Sequence, residues 1–174
     1  MRRRALVEAG GHLLAGLVMG SSLVGWSGRV RRKTHEIRMR SDLRGEKVFF
    51  DPIGLRVDSG DVVRWVIDAN VHTTAAYHPQ NAKPRRIPVG ATSWDSGYLV
   101  NPGDMFETTL GLPGVYDFFC LPHEAAGMVG RIVVGRPPFL PDALPDKAGA
   151  ITEGALRAFP PVDQIVAQGS VHLF

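Results

Sequence analysis

The chain has one cysteine, Cys120, among 174 residues. A single thiol cannot close an internal disulfide, so the fold must be held by its core. A leftover thiol is either a small buried hydrophobe or a group with chemistry of its own. Charge of one sign is also scarce where it would matter. The formal net charge is +3, but the excess sits in Arg2, Arg3, Arg4, Arg29, Arg31, Arg32 and Lys33. From residue 35 to 136, eleven Lys and Arg face twelve Asp and Glu. A nucleic-acid surface needs a basic face on the folded body, so that partner is excluded. There is no internal repeat and no low-complexity tract, which excludes solenoids and arrays. The apolar run Leu13–Trp26 is about 14 residues, short of the roughly 20 that span a bilayer.

That run belongs to a leader. "MRRRALVEAGGHLLAGLVMGSSLVGWSG" has a basic start, an apolar middle and small residues at Gly25 and Ser27, the layout of an export signal over 1–27. Arg3-Arg4-Ala5-Leu6-Val7 resembles a twin-arginine motif. The reading is an exported protein, in the periplasm or on the outer face of the cytoplasmic membrane. The alternative is an uncleaved anchor starting near Ala5, which would associate the protein with the membrane through its N-terminus. The basic cluster after the apolar run works against translocation.

What is abundant is turn-forming residues, twenty glycines and thirteen prolines. They divide the body into short alternating runs: "HEIRMRS" (35–41), "VFFDPIGLRV" (48–57, broken at Pro52 and Gly54), "VVRWVID" (62–68), "VHTTAAY" (71–77), "MFETTL" (105–110), "VYDFF" (115–119) and "GRIVVG" (130–135). Short strands at regular spacing predict an all-β, Greek-key sandwich over 35–136. The stretch 78–92 is expected to be a long surface loop. The tail, 137–174, reads as a proline-rich linker and two short helices, the second ending at Gly169. It is expected to fold back over the sandwich, the alternative being a docking tail for a partner or membrane.

The chemistry concentrates in "YDFFCLPHEAAGMVGRIVV" (116–134). Period-two alternation puts Tyr116, Phe118 and Cys120 on one face of a strand, with the thiol where the strand runs out. His123 and Met128 follow, and a curled connection would bring imidazole and thioether back to the sulfur. Thiolate, imidazole and thioether form a soft set suited to one copper ion, and such a site takes a second histidine. His72 and His78 are the candidates. A loop imidazole such as His78 is more often solvated, which favours His72 at a strand start.

The arrangement resembles the cupredoxins, small blue copper proteins, and within them the plastocyanin and pseudoazurin branch. "SGDVVRWVIDANVH" is similar to the family's approach to its first histidine. "YDFFCLPHEAAGMVGRIVV" is similar to its Tyr-x-Phe-x-Cys-x-Pro-His-x-x-x-Gly-Met-Val-Gly run. The resemblance covers about residues 36–135. It implies His72, Cys120 and His123 as equatorial copper ligands, Met128 as the axial one, and single-electron transfer between transient protein donors and acceptors, by a monomer that is not an enzyme. The sequence departs from the family pattern in three places. Thr73 stands where an asparagine usually ties the copper loops, so Thr73 or nearby Asn70 would supply that bond. Phe119 precedes the cysteine where plastocyanins often have tyrosine. The tail has no counterpart in the minimal domain.

The outer edge of His123, with Leu121, Pro122 and Val71, is the expected electron exit, between Pro122 and the small residues Ala125, Ala126 and Gly127. Three rival readings fit less well. A copper carrier or buffer would carry extra exposed ligands, whereas Met1, Met19, Met39 and Met105 are scattered. A multicopper enzyme would need a His-Cys-His run. A copper-free binding module would not keep an intact ligand quartet.

Overall fold

The computed structural model describes residues 32–42, 44, 46–135 and 151–174. The leader (1–27) and the proline-rich stretch 136–146 lie outside the described residues.

Alternation in the sequence becomes a two-sheet sandwich. The first sheet runs in the order β2 (Val48–Asp51), β1 (Thr34–Ser41), β4 (Val62–Ile67), β6 (Met105–Thr109). The second runs β5 (Ala75–Ala76), β7 (Gly114–Phe119), β8 (Val129–Val134), β3 (Gly54–Val57), β9 (Ser170–Val171). On β1, Ile37 and Met39 are fully buried while Glu36, Arg38 and Arg40 face outward. β1 lies parallel to β4, with Ile37 opposite Trp65 and Met39 opposite Ile67. The break at Pro52–Gly54 moves the chain from one sheet to the other, since β2 pairs with β1 and β3 with β8.

The core between the sheets is aromatic. Trp65 meets Trp94 with centroids 5.5 Å apart and takes Phe118 edge-on at 5.3 Å, and Phe118 packs against Phe50 at 4.7 Å. Tyr116, Phe118 and Cys120 all point into this core, as alternation required. Phe118 needs the glycine opposite it. A Cβ on Gly130 would come within 2.3 Å of the ring.

The other face of β7 is buried as well, because the tail covers it. Helices α1 (Glu153–Ala158) and α2 (Val162–Gln168) fold back on the second sheet. Val162 and Ile165 cluster with Val115 and Val133, and Ile151 and Ala155 cluster with Tyr77, Phe119 and Val129. Gly169 ends α2 at φ 78°, as expected. Asp117, fully buried on this face, binds Arg86 Nε at 2.7 Å and Arg131 at 2.7 and 3.0 Å. Phe159 of the tail sits 5.0 Å from both guanidinium carbons, and Arg131 also donates to the Pro160 carbonyl at 2.9 Å.

Two local expectations change. The run 71–77 forms a strand only at Ala75–Ala76, and His72 makes an isolated bridge to Leu99. The stretch 78–92 is no plain surface loop, for His78, Arg86 and Ile87 are buried in it. Asp117 holds Arg86 inside, and Asn81 anchors the start of the stretch. The Asn81 side-chain amide donates to the Ala76 and Trp94 carbonyls at 2.8 and 2.9 Å and fastens the loop to the sheet. Among the described residues, no helix is long and apolar enough to cross a membrane.

Candidate metal centre

Two segments meet at one end of the sandwich. The first turns through Asn70, at φ 65°, into His72. The second leaves β7 at Cys120 and curls through a 3₁₀ helix, Leu121–Ala126, to Met128. Pro122 suits the first turn of that helix because its missing N–H would have no partner there. Gly127 ends it at φ 86°, a conformation that favours glycine. Backbone bonds close the loop: His123 N–H to Cys120 O at 3.1 Å, Met128 N–H to His123 O at 3.1 Å, and Cys120 N–H to Met128 O at 3.0 Å. The ladder therefore returns Met128 to the residue from which the loop began.

Within this frame His72 Nδ1, Cys120 Sγ and His123 Nδ1 lie within 4.8 Å of one another. Sγ is 3.7 Å from the first imidazole and 3.4 Å from the second, and the two Nδ1 atoms are 3.2 Å apart. Cys120, Met128 and His72 have no exposed surface, while His123 is half-buried.

The environment keeps these donors neutral. Burial, then the neighbouring His123, lowers the His72 pKa to about 4. The Ala69 carbonyl, near but outside hydrogen-bonding geometry, offsets little of this. Burial also lowers the His123 pKa and pushes the Cys120 thiol up, against the opposing N–H of Thr73. Two neutral imidazoles offer lone pairs at once, and a cation arriving among them would take up the charge that the buried thiolate cannot carry alone. A thiol, two imidazoles and a thioether in a buried pocket fit copper, a soft-donor metal.

The residues singled out from sequence fall as follows. Thr73 joins the two segments. Its N–H points at Cys120 Sγ from 3.4 Å, and its hydroxyl accepts from the Leu121 N–H at 2.8 Å. Asn70 is exposed, and its amide donates to the Ser41 hydroxyl instead. Val71, Leu121 and Pro122 are exposed, and His123 is half-buried. His78 stands apart, capping the short 3₁₀ turn Pro79–Asn81 by accepting from the Gln80 N–H. Sequence reasoning missed Leu99, which exchanges two backbone hydrogen bonds with His72 at 3.1 and 2.9 Å. That pairing flanks the site with exposed Tyr98 and Val100. The Asn101-Pro102-Gly103 turn was legible, but nothing local marks the bridge.

The match to copper-binding proteins of the plastocyanin/azurin family covers residues 37–135. A plastocyanin from Prochlorothrix hollandica is 32% identical over 104 residues, 58% of this chain and 72% of that protein. A chloroplastic plastocyanin from Oryza sativa subsp. indica is 34% identical over 90 residues, 52% of this chain and 57% of that protein. Among solved structures, pseudoazurin from Methylobacterium extorquens AM1 superposes with a TM-score of 0.51 at 22% identity, covering 78% of this chain and 98% of its own, a likeness of fold. With more than half its length matched and a donor set that fits the metal, this chain belongs to the copper-binding plastocyanin/azurin family, and copper is its cofactor.

Proposed function

We propose that this protein is an exported electron carrier, holding one copper ion through His72, Cys120, His123 and Met128 and shuttling single electrons between redox proteins. The observation that carries the reading is the convergence of two imidazole nitrogens and one thiol sulfur within 4.8 Å, over a loop that closes at Met128. Copper so held would supply a one-electron couple. The chain supplies the rest. Buried aromatic packing beneath Cys120 and the Thr73 bonds keep the two ligand segments in one arrangement, so little has to move when charge changes. The half-buried edge of His123, with exposed Val71, Leu121 and Pro122 from the same two segments, would give a partner an apolar surface next to the site. A small apolar contact gives weak, short-lived docking, which suits a shuttle acting as a monomer.

Beyond the trio at the site, no group of three His, Cys, Asp or Glu side chains placed to hold a metal ion occurs among the described residues. Met39 is locked in the core while Met105 is exposed on β6. One exposed methionine is not the set of extra ligands that a copper carrier or buffer would present, which favours electron transfer. The test is a visible spectrum of the protein with Cu(II), beside Cys120→Ser. An intense charge-transfer band in the red, lost in the variant, is expected. A colourless protein, or a band indifferent to Cys120, would overturn the reading in favour of a copper-free binding module.

A further inference from the structure

Next to His123 the chain carries a buried acid that coordination does not use. Glu124 is 6% exposed, within the 3₁₀ helix of the ligand loop. Burying a carboxylate is costly unless it is paired and hydrogen-bonded, and Glu124 is both. The Tyr77 hydroxyl donates to Oε1 at 2.8 Å, and the Lys83 ammonium pairs with Oε2. Burial and the Glu124 carboxylate together keep the Tyr77 phenol protonated, so it remains a donor. The backbone is held too. The Glu124 carbonyl accepts from the Gly127 N–H at 2.9 Å and from the Thr152 hydroxyl at 3.3 Å. Thr152 in turn caps α1 by accepting from the Ala155 N–H.

Lys83 reaches the other end of the loop. Its ammonium lies 5.1 Å from the centre of the Phe119 ring, one residue before Cys120. It comes from the segment that Asn81 fastens to the sheet. Tyr77 packs against the same Phe119 ring, tilted, with centroids 4.7 Å apart. Tyr77 and Lys83 thus touch both Phe119, just before Cys120, and Glu124, just after His123. A buried ion pair is a weak source of stability, because desolvation offsets its attraction, and its better-attested use is to specify one arrangement.

We infer that Glu124, locked by Tyr77 and Lys83, is a positioning residue for His123, and that the Glu124–Lys83 pair tunes the reduction potential of the copper this loop would hold. This rests on the copper reading above. Charges near a metal in a low-dielectric site act strongly. The oxidised ion carries one more positive charge, so a nearby carboxylate favours it and a nearby ammonium opposes it. Neutralising either partner therefore has a predictable sign.

Two arms test this. In the metal-free protein, amide hydrogen exchange at His123 and Gly127 should quicken in Glu124→Ala and return towards the wild-type rate in Glu124→Gln, which keeps an acceptor for Tyr77. Unchanged exchange in Glu124→Ala overturns the positioning role. In the copper-loaded protein, the potential should rise in Glu124→Gln, fall in Lys83→Met, and return close to wild type in the double variant. Shifts in the same direction would mean a loosened loop and overturn the electrostatic role. A wild type that takes up no copper would bring down the copper reading instead, while the exchange arm still decides whether Glu124 holds the loop.

Discussion

The Thr73 hydroxyl accepts from the Leu121 N–H at 2.8 Å, so one threonine side chain joins the His72 segment to the residue after Cys120. The same residue's N–H faces the Cys120 sulfur. Thr73→Val removes only the hydroxyl and leaves a part-buried N–H without its partner. The expected cost is about 1–3 kcal/mol in urea unfolding. The copper–thiolate band should also shift, while Thr73→Ser stays near wild type in both. A Thr73→Val protein as stable as wild type would mean that the bridge contributes nothing.

Asp61 gathers the start of the first sheet. It is 4% exposed and accepts from the Lys33 N–H at 2.9 Å, His35 Nε2 at 2.8 Å and the Asp58 N–H at 3.2 Å. Burial raises its pKa, but these donors outweigh burial and hold it below the ordinary value of 3.8. A carboxyl whose folded pKa is depressed stabilises the fold above its unfolded pKa and loses that contribution as pH falls through the folded value. Asp61→Asn should therefore be less stable by about 1.5–3 kcal/mol near neutrality. The gap should close as the pH drops below 3.8. Thermal melts across that range check it, and a gap independent of pH would contradict the assignment.

Gly130 has no room for a side chain, since an added Cβ would lie 2.3 Å from the Phe118 ring. Gly130→Ala forces Phe118 out of its place among Phe50, Trp65 and Trp94. Overpacking of this kind costs about 1–3 kcal/mol, to be read from the urea midpoint.

The tail should behave as core. Ile165 is fully buried and lies against Gly54, where an added Cβ would come within 2.7 Å of it. Ile165→Ala should destabilise by about 2–5 kcal/mol. The folded protein should still unfold in a single transition. A loss below half a kilocalorie, on the order expected for a surface site, would mean that the tail is not packed in solution.

How far the sequence revealed this structure depends on the range of each interaction. Period-two alternation was enough for Ile37 and Met39 on β1 and for Tyr116, Phe118 and Cys120 at the end of β7, because one face of each meets a single core. The spacing of Cys120, His123 and Met128 could be read because one closed loop carries all three. Around His72 the pattern failed. Residues 72–78 are buried without alternation, held by Leu99 on one side and covered on the other by a tail more than seventy residues away in sequence. The stretch after His78 looked like a solvated loop because proline, asparagine and arginine usually are. Asp117, buried across the fold, is what draws Arg86 inside. Glu124 showed no signal at all, since its partners Tyr77 and Lys83 are 47 and 41 residues away.

β9 is only two residues long, yet it changes what the second sheet presents to other molecules. Val171 and Ser170 pair with Gly54 and Leu55, the Val171 carbonyl takes the Ile53 N–H, and the Gly169 carbonyl takes the Arg56 N–H. Without them β3 would be the outer strand, with a row of open peptide groups beside apolar Leu55 and Val57. Such a row is a template for a neighbouring chain. A molecule clipped just before Gly169 would keep every proposed copper ligand yet leave that row open to pairing with another chain. The last few described residues thus close the open edge of the second sheet, a contribution independent of the metal ligands.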